Sequence, residues 1–117
     1  MNKIIFNNIY KDIQEISRRG LQEELWLGKN PDKCSSFTEV MCRLFDDNNF
    51  EDFLNSSVYE IGFSPEIISE LKVLSVKLEN YSELSTDAEI INDPRWEEVR
   101  KKAQEVIDLW NKENPNL

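Results

Sequence analysis

Five residues near one end of the chain, Trp96, Val99, Ala103, Val106 and Trp110, step by three, four, three and four. Only an α-helix gathers such positions onto one side, because about 3.6 residues complete a turn. Asp93-Pro94 opens the pattern, a capping side chain followed by a proline at the first helical position. Ala103 at its middle lets another helix come close. Similar logic recurs twice. Phe6, Ile9, Ile13 and Ile16 predict a helix from Lys3 to about Arg18. Ile67, Leu71, Leu74, Leu78 and Tyr81 share a seam behind the start signal Ser64-Pro65-Glu66, and Val73 and Val76 widen it towards neighbours on more than one side. No β alternation is sustained, and glycine occurs only three times. The expectation is an all-α fold, a single-domain bundle over 1–117 of about six helices with mostly antiparallel neighbours.

The shorter segments are read from caps and breakers. Ser36 followed by Glu39 is a capping box, and Phe37, Val40, Met41, Leu44 and Phe45 then recur at helical spacing. Asp46-Asp47-Asn48-Asn49 stops that helix, since short polar side chains compete for their own backbone. Asn49 caps the next, with Glu51 and Asp52 in its first turn and Phe50, Phe53 and Leu54 inward. Gly20 is expected to end the first helix. A short helix Leu21–Leu27 follows, with Leu21 and Leu25 inward and Trp26 off that line, either a wedge between helices or a partly exposed contact. Gly28 ends it, and Lys29–Ser35 with Pro31 reads as a loop. Asn55-Ser56-Ser57 reads as a turn, and Val58–Phe63 fits either a helical turn or an extended link. Thr86 with Glu89 opens another short helix, and Asn114-Pro115 closes the last.

Leu, Ile, Val and Phe make up 34 of 117 residues, well above the disordered range of under about one fifth, so the chain can bury a core. No run approaches the roughly 20 apolar residues of a membrane span, and the Met1 end lacks a secretory h-region. Cys34 and Cys42 make no framework, and a chain without histidine offers little to zinc, so two reduced thiols in a cytoplasm are expected. Cys42 is placed near the apolar stripe of its helix.

Chemistry is sparse. Lacking histidine, the chain has no Ser–His or Cys–His pair and lacks the commonest general base. Gly20, Gly28 and Gly62 are too far apart for a phosphate loop. Asp12 with Glu15, and Glu105 with Asp108, have i, i+3 spacing. Two such pairs on facing helices could hold magnesium, as in all-helical nucleotide hydrolases. Such acids are also common on exposed helix faces, and these are read as offset from the apolar seams. No motif calls for a cofactor. Trp96 and Trp110 lie on a seam and are read as core.

Charge carries more information. The formal net charge is −9. Residues 31–62 and 63–93 each hold −5, against +1 for 1–30 and zero for 94–117. Such a balance disfavours nucleic acid and anionic membranes, which need cationic contacts, and suits a basic partner. Solvated helix faces and caps account for any one of these acids. Gathering many on one side is mildly unfavourable unless a cationic surface meets them, since close like charges repel by up to about 1 kcal/mol in water.

At SSFTEVMCRLFDDNNFEDFL, followed by IGFSPEIISELKVLS and DPRWEEVRKKAQEVI, the chain resembles small bacterial immunity proteins, most of all those of contact-dependent growth inhibition systems. The likeness lies in layout: acidic, cytosolic, one small helical domain. The resemblance implies a tight inhibitor of one cognate basic toxin domain, often a nuclease acting on tRNA or DNA. Carboxylates would then stand in for phosphate at the toxin's substrate site. Asp46, Asp47, Glu51, Asp52 and Glu60 are the first candidate contacts, with Glu83 and Asp87 next. Tyr59, beside the acidic stretch, is the aromatic best suited to an interface. Two other readings stand beside this one. A chaperone or adaptor for another protein would show a larger exposed apolar groove. A magnesium-dependent hydrolase would bring Asp12, Glu15, Glu105 and Asp108 together.

Overall fold

The computed structural model describes residues 2–113, so the expected stop at Asn114-Pro115 lies outside the described residues. The long seam behaves as its spacing requires: α8 runs Pro94–Glu113, and Trp96, Val99, Ala103, Val106 and Trp110 are all buried. Asp93 caps it, accepting from the Arg95 N–H at 3.0 Å. That bond, helped by the Tyr81 hydroxyl donating at 2.8 Å, outweighs burial and holds the Asp93 carboxyl below its ordinary range. Helix α1 (Lys3–Ser17) and helix α6 (Pro65–Asn80) pack along α8. Ala103, fully buried, keeps the middle of α8 narrow.

Each tryptophan of the α8 seam centres an aromatic cluster. Trp96 meets Trp26, Phe37 and Tyr81 at ring-centroid separations of 6.0, 5.3 and 5.0 Å. Trp110 meets Phe6, Phe63 and Tyr10 at 4.8, 5.0 and 5.5 Å and stacks on Phe53 at 6.0 Å. Fourteen residues of helix hold the two clusters about 21 Å apart. Aromatic side chains bury large areas and favour such tilted and edge contacts. The apolar residues around both clusters form one continuous core.

The remaining elements are short: α2 (Arg19–Trp26), α3 (Phe37–Cys42), α4 (Phe50–Asp52), α5 (Val58–Glu60) and α7 (Asp87–Ile91). The expected caps form. Ser36, Ser64 and Thr86 accept from the backbone N–H groups of Glu39, Ile67 and Glu89. Among the described residues every regular element is helical, so the chain is an all-α bundle.

Several local expectations are corrected. Gly20 does not end α1; it lies inside α2. The break falls at Arg18, whose backbone is extended (φ −116°, ψ 111°). Ser17 donates its hydroxyl back to the Gln14 carbonyl at 2.7 Å, a local bond that competes with helix continuation. In α2 the inward residues are Gln22 and Trp26, while Leu21 and Leu25 are half-buried. Trp26 is a wedge under the Trp96 cluster. Asn55-Ser56-Ser57 is no turn: Phe53–Ser57 is π-helical and joins α4 to α5 without a break. The Val58–Phe63 ambiguity resolves as the α5 turn, followed by Gly62 at φ +79°. Val73 and Val76 do not widen the buried seam; they stand 38% and 55% exposed on the outer side of α6. Cys42 is exposed and is not part of the stripe.

Gln22, entirely buried, is the polar centre of the core. Its Nε2 donates to the Glu15 and Ile16 carbonyls at 2.9 and 2.7 Å, which α1 leaves open where it ends. Its Oε1 accepts from Trp96 Nε1 at 3.0 Å and Arg100 Nη1 at 3.1 Å. One amide thereby ties α1, α2 and α8.

Candidate functional site

Helix α3 changes character at Arg43. Residues Arg43–Asp47 are π-helical, and the Asn48 N–H reaches the Arg43 carbonyl five residues back at 2.9 Å. The Asn48 side chain donates to that same carbonyl at 2.9 Å and to Asp12 Oδ2 at 3.0 Å. Asn49 follows in the left-handed region (φ 46°, ψ 64°) and accepts from the Asp52 N–H at 3.3 Å. Asparagine tolerates this backbone better than most residues. The result is a tight joint between two helical runs. π-Turns of this kind are frequent at functional sites.

Below the joint lies an ionic network that spacing alone missed. Arg43 Nε contacts Asp12 Oδ1 at 3.1 Å and Nη2 contacts Glu15 Oε1 at 2.8 Å. Its Nη1 donates to Ser35 Oγ at 3.3 Å. Glu15 Oε2 accepts from Trp26 Nε1 at 2.9 Å and from Ser35 Oγ at 2.8 Å. Among the described residues no buried side-chain nitrogen or oxygen lacks a partner. Burial pushes the Asp12 carboxyl above its ordinary range despite Arg43 and Asn48. For Arg43, burial acts downward, but the hydrogen bond it donates to Asp12 and the charge of Glu15 outweigh it, so its proton is held more firmly. The two shifts agree physically: the guanidinium gains from two acids at once, while at Asp12 burial outweighs what Arg43 returns.

Asp12 and Glu15 are therefore buried, not offset from the α1 stripe. The signal was present in the spacing, since Asp12 lies three residues after Ile9 and four before Ile16. Glu105 pairs with Lys102, and Asp108 accepts from Gln104. The four acids do not converge. Among the described residues no group of three or more acids or thiols is placed to hold a metal ion.

Over this network opens a cleft of about 660 Å³, lined mainly by charged and polar residues, between α1, the 29–36 segment and the π-turn. Lys11, Lys33 and Asp47 stand on its walls. Asp47 thus links the cleft to the joint. Asp46, Asp47, Glu51 and Asp52 are all exposed around the joint, and chain continuity alone brings these four together. Among the described residues none of them has a Lys or Arg within ion-pair distance.

The other candidates lie apart. Glu60 is exposed at the far end of the helical run, about 12 Å beyond Asp52 along its axis. Tyr59, 56% exposed, turns towards α6, where its hydroxyl accepts from Lys72 Nζ at 3.0 Å. Asp87 is half-buried and caps α3 from another segment, accepting from the Phe37 N–H at 3.4 Å. Glu83 is exposed in the segment before α7. Asp87 and the joint therefore mark opposite ends of the α3 run, about 13 Å apart along it.

Among the described residues no helix is long and apolar enough to cross a membrane. The chain matches no protein-family model, no curated protein and no solved structure.

Proposed function

We propose that this chain is a cytoplasmic immunity protein. It has no catalytic chemistry of its own and neutralises a cognate basic toxin domain by covering the site that receives nucleic acid. One observation carries the reading: Asp46, Asp47, Glu51 and Asp52 crowd an exposed joint without a cation in ion-pair reach among the described residues. A cationic surface would complement the negative charge gathered there. The joint is also pre-organised. Asn48 locks the π-turn and Asn49 caps the next run, so little ordering would oppose docking. Charge complementarity of this kind raises encounter rates more than it deepens affinity. Glu60, Glu83, Asp87 and Tyr59 would serve as outlying contacts.

The test is rescue of growth. The product of the adjacent upstream gene, or its C-terminal domain, is expressed with and without this chain. Rescue together with a co-purifying complex supports the reading. The association rate should then fall roughly 10- to 100-fold from low to high salt. Reversing Asp46 and Asp47 to Lys should slow association and weaken neutralisation. Absence of both rescue and complex overturns the proposal. Neutralisation undiminished in the double variant removes the joint as the contact.

A further inference from the structure

We infer that the outer face of α6 is a self-association surface, on which a second copy of this chain packs antiparallel through the same helix. Ser69, Val73, Val76 and Asn80 step by four, three and four, repeating on the outside the spacing of the buried seam Ile67, Leu71, Leu74 and Leu78. All four outer residues are exposed, and a shallow depression of about 450 Å³ runs along Val73 and Val76 between Lys72 and Lys77. A helix with two seams of this spacing can serve two neighbours.

The flanking charges choose the occupant. Along one edge of the outer seam stand Lys72 and Glu79; along the other stand Glu70 and Lys77. Place Val73 against Val76 of a second, antiparallel copy. Lys72 then faces Glu79 of that copy, and Glu70 faces its Lys77. Two-fold symmetry forms each contact twice. A parallel arrangement would instead set Lys72 against Lys77 of the second copy, like against like. Glu70 already contacts Lys102 at 2.6 Å, so it would bridge two lysines. Tyr59 steadies Lys72 at one edge, its hydroxyl accepting from Nζ at 3.0 Å. The formal charge of −9 on each copy opposes approach at long range. Screening confines that opposition to about 8 Å at physiological salt, and the local pattern decides the pairing.

A helix of 16 residues is about 24 Å long, so this contact is smaller than the roughly 1,200 Å² of a stable interface. The dimer should therefore be weak and appear only as concentration rises. Sedimentation of the full chain from about 10 μM to about 1 mM should show the mass climbing from 13.8 kDa towards twice that value. Val76→Lys should remain monomeric throughout, with an unchanged circular dichroism spectrum. Lys72→Glu and Glu79→Lys should each weaken association about tenfold, because each converts two attractions into two repulsions. The combined K72E/E79K chain should regain the parental dissociation constant. A monomer at every concentration overturns the proposal. So does a combined variant as weak as the single ones, or association that Val76→Lys leaves intact.

Discussion

Replacing Arg43 with Met removes one cation from between two buried acids while keeping an unbranched apolar stem. Breaking a fully buried pair typically costs about 3–5 kcal/mol, because the surviving charge is stranded. Here the side chains of Asp12 and Glu15 are 7% and 10% exposed, but that of Arg43 is 36% exposed. Water already reaches the cation, which lowers the expected loss to about 2–3 kcal/mol. Glu15 keeps Trp26 and Ser35, and Asp12 keeps Asn48, so the acids do not lose every partner. For a chain of this size the midpoint of thermal unfolding should fall by roughly 10 °C. The pH dependence carries the sharper test. The Asp12 carboxyl already binds its proton more readily in the fold than outside it, because burial dominates. Its ionisation therefore subtracts stability as pH rises from the ordinary aspartate range through the raised folded value. Loss of Arg43 raises that folded value further. The gap between Arg43→Met and the parent should be widest near neutral pH and should narrow on acidification towards about pH 4. Urea unfolding followed by far-ultraviolet circular dichroism at both ends of that range measures it. A loss below about 0.5 kcal/mol, or a gap that widens in acid, would refute the reasoning. Arg43→Lys should recover only part of the stability, since an ammonium cannot fork between Asp12, Glu15 and Ser35.

Three further outcomes follow from the same structure. Gln22→Leu strands the Trp96 N–H and two carbonyls of α1 and weakens the hold on Arg100; it should cost about 3–4 kcal/mol in urea unfolding. At Asn49, φ 46° makes Val cost about 1–2 kcal/mol, whereas Gly should stay within about 0.5 kcal/mol of the parent in the same assay. Reversing Asp46 and Asp47 to Lys should leave unfolding stability within about 0.5 kcal/mol, so that a loss of neutralisation in that variant reports binding and not collapse.

The long seams were legible because their periodicity extends over several turns. Trp96 to Trp110, Ile67 to Leu78 and Phe6 to Ile16 each repeat often enough for one orientation to be forced. Helix α2 was not legible in the same way. Eight residues make barely two turns, and the large indole of Trp26 decided the inward side against Leu21 and Leu25. The π-turns were invisible because one inserted residue breaks the 3.6-residue count on which such reading depends. Arg43 lies three residues after the buried Val40, on the edge of the stripe that faces α1, but a lone arginine at such an edge reads as a surface cation. The Asp12 signal was there, but a carboxylate within an apolar stripe was read as surface. Of the acidic candidates, only those joined by short chain segments could be placed together. Asp87 and Tyr59 took their positions from partners 50 and 13 residues away in sequence.

The Gln22 amide has a consequence for how sharply this chain defines itself. Greasy contacts tolerate a helix rolling a few degrees or sliding part of a turn, because one hydrocarbon surface is much like another. Four directional bonds meeting at one side chain do not. A variant that keeps every apolar seam but lacks this amide should still be helical by far-ultraviolet dichroism, while its near-ultraviolet tryptophan signal flattens as Trp96 loses a fixed seat. In this fold, oil sets how much is buried, and a single amide sets which arrangement is allowed.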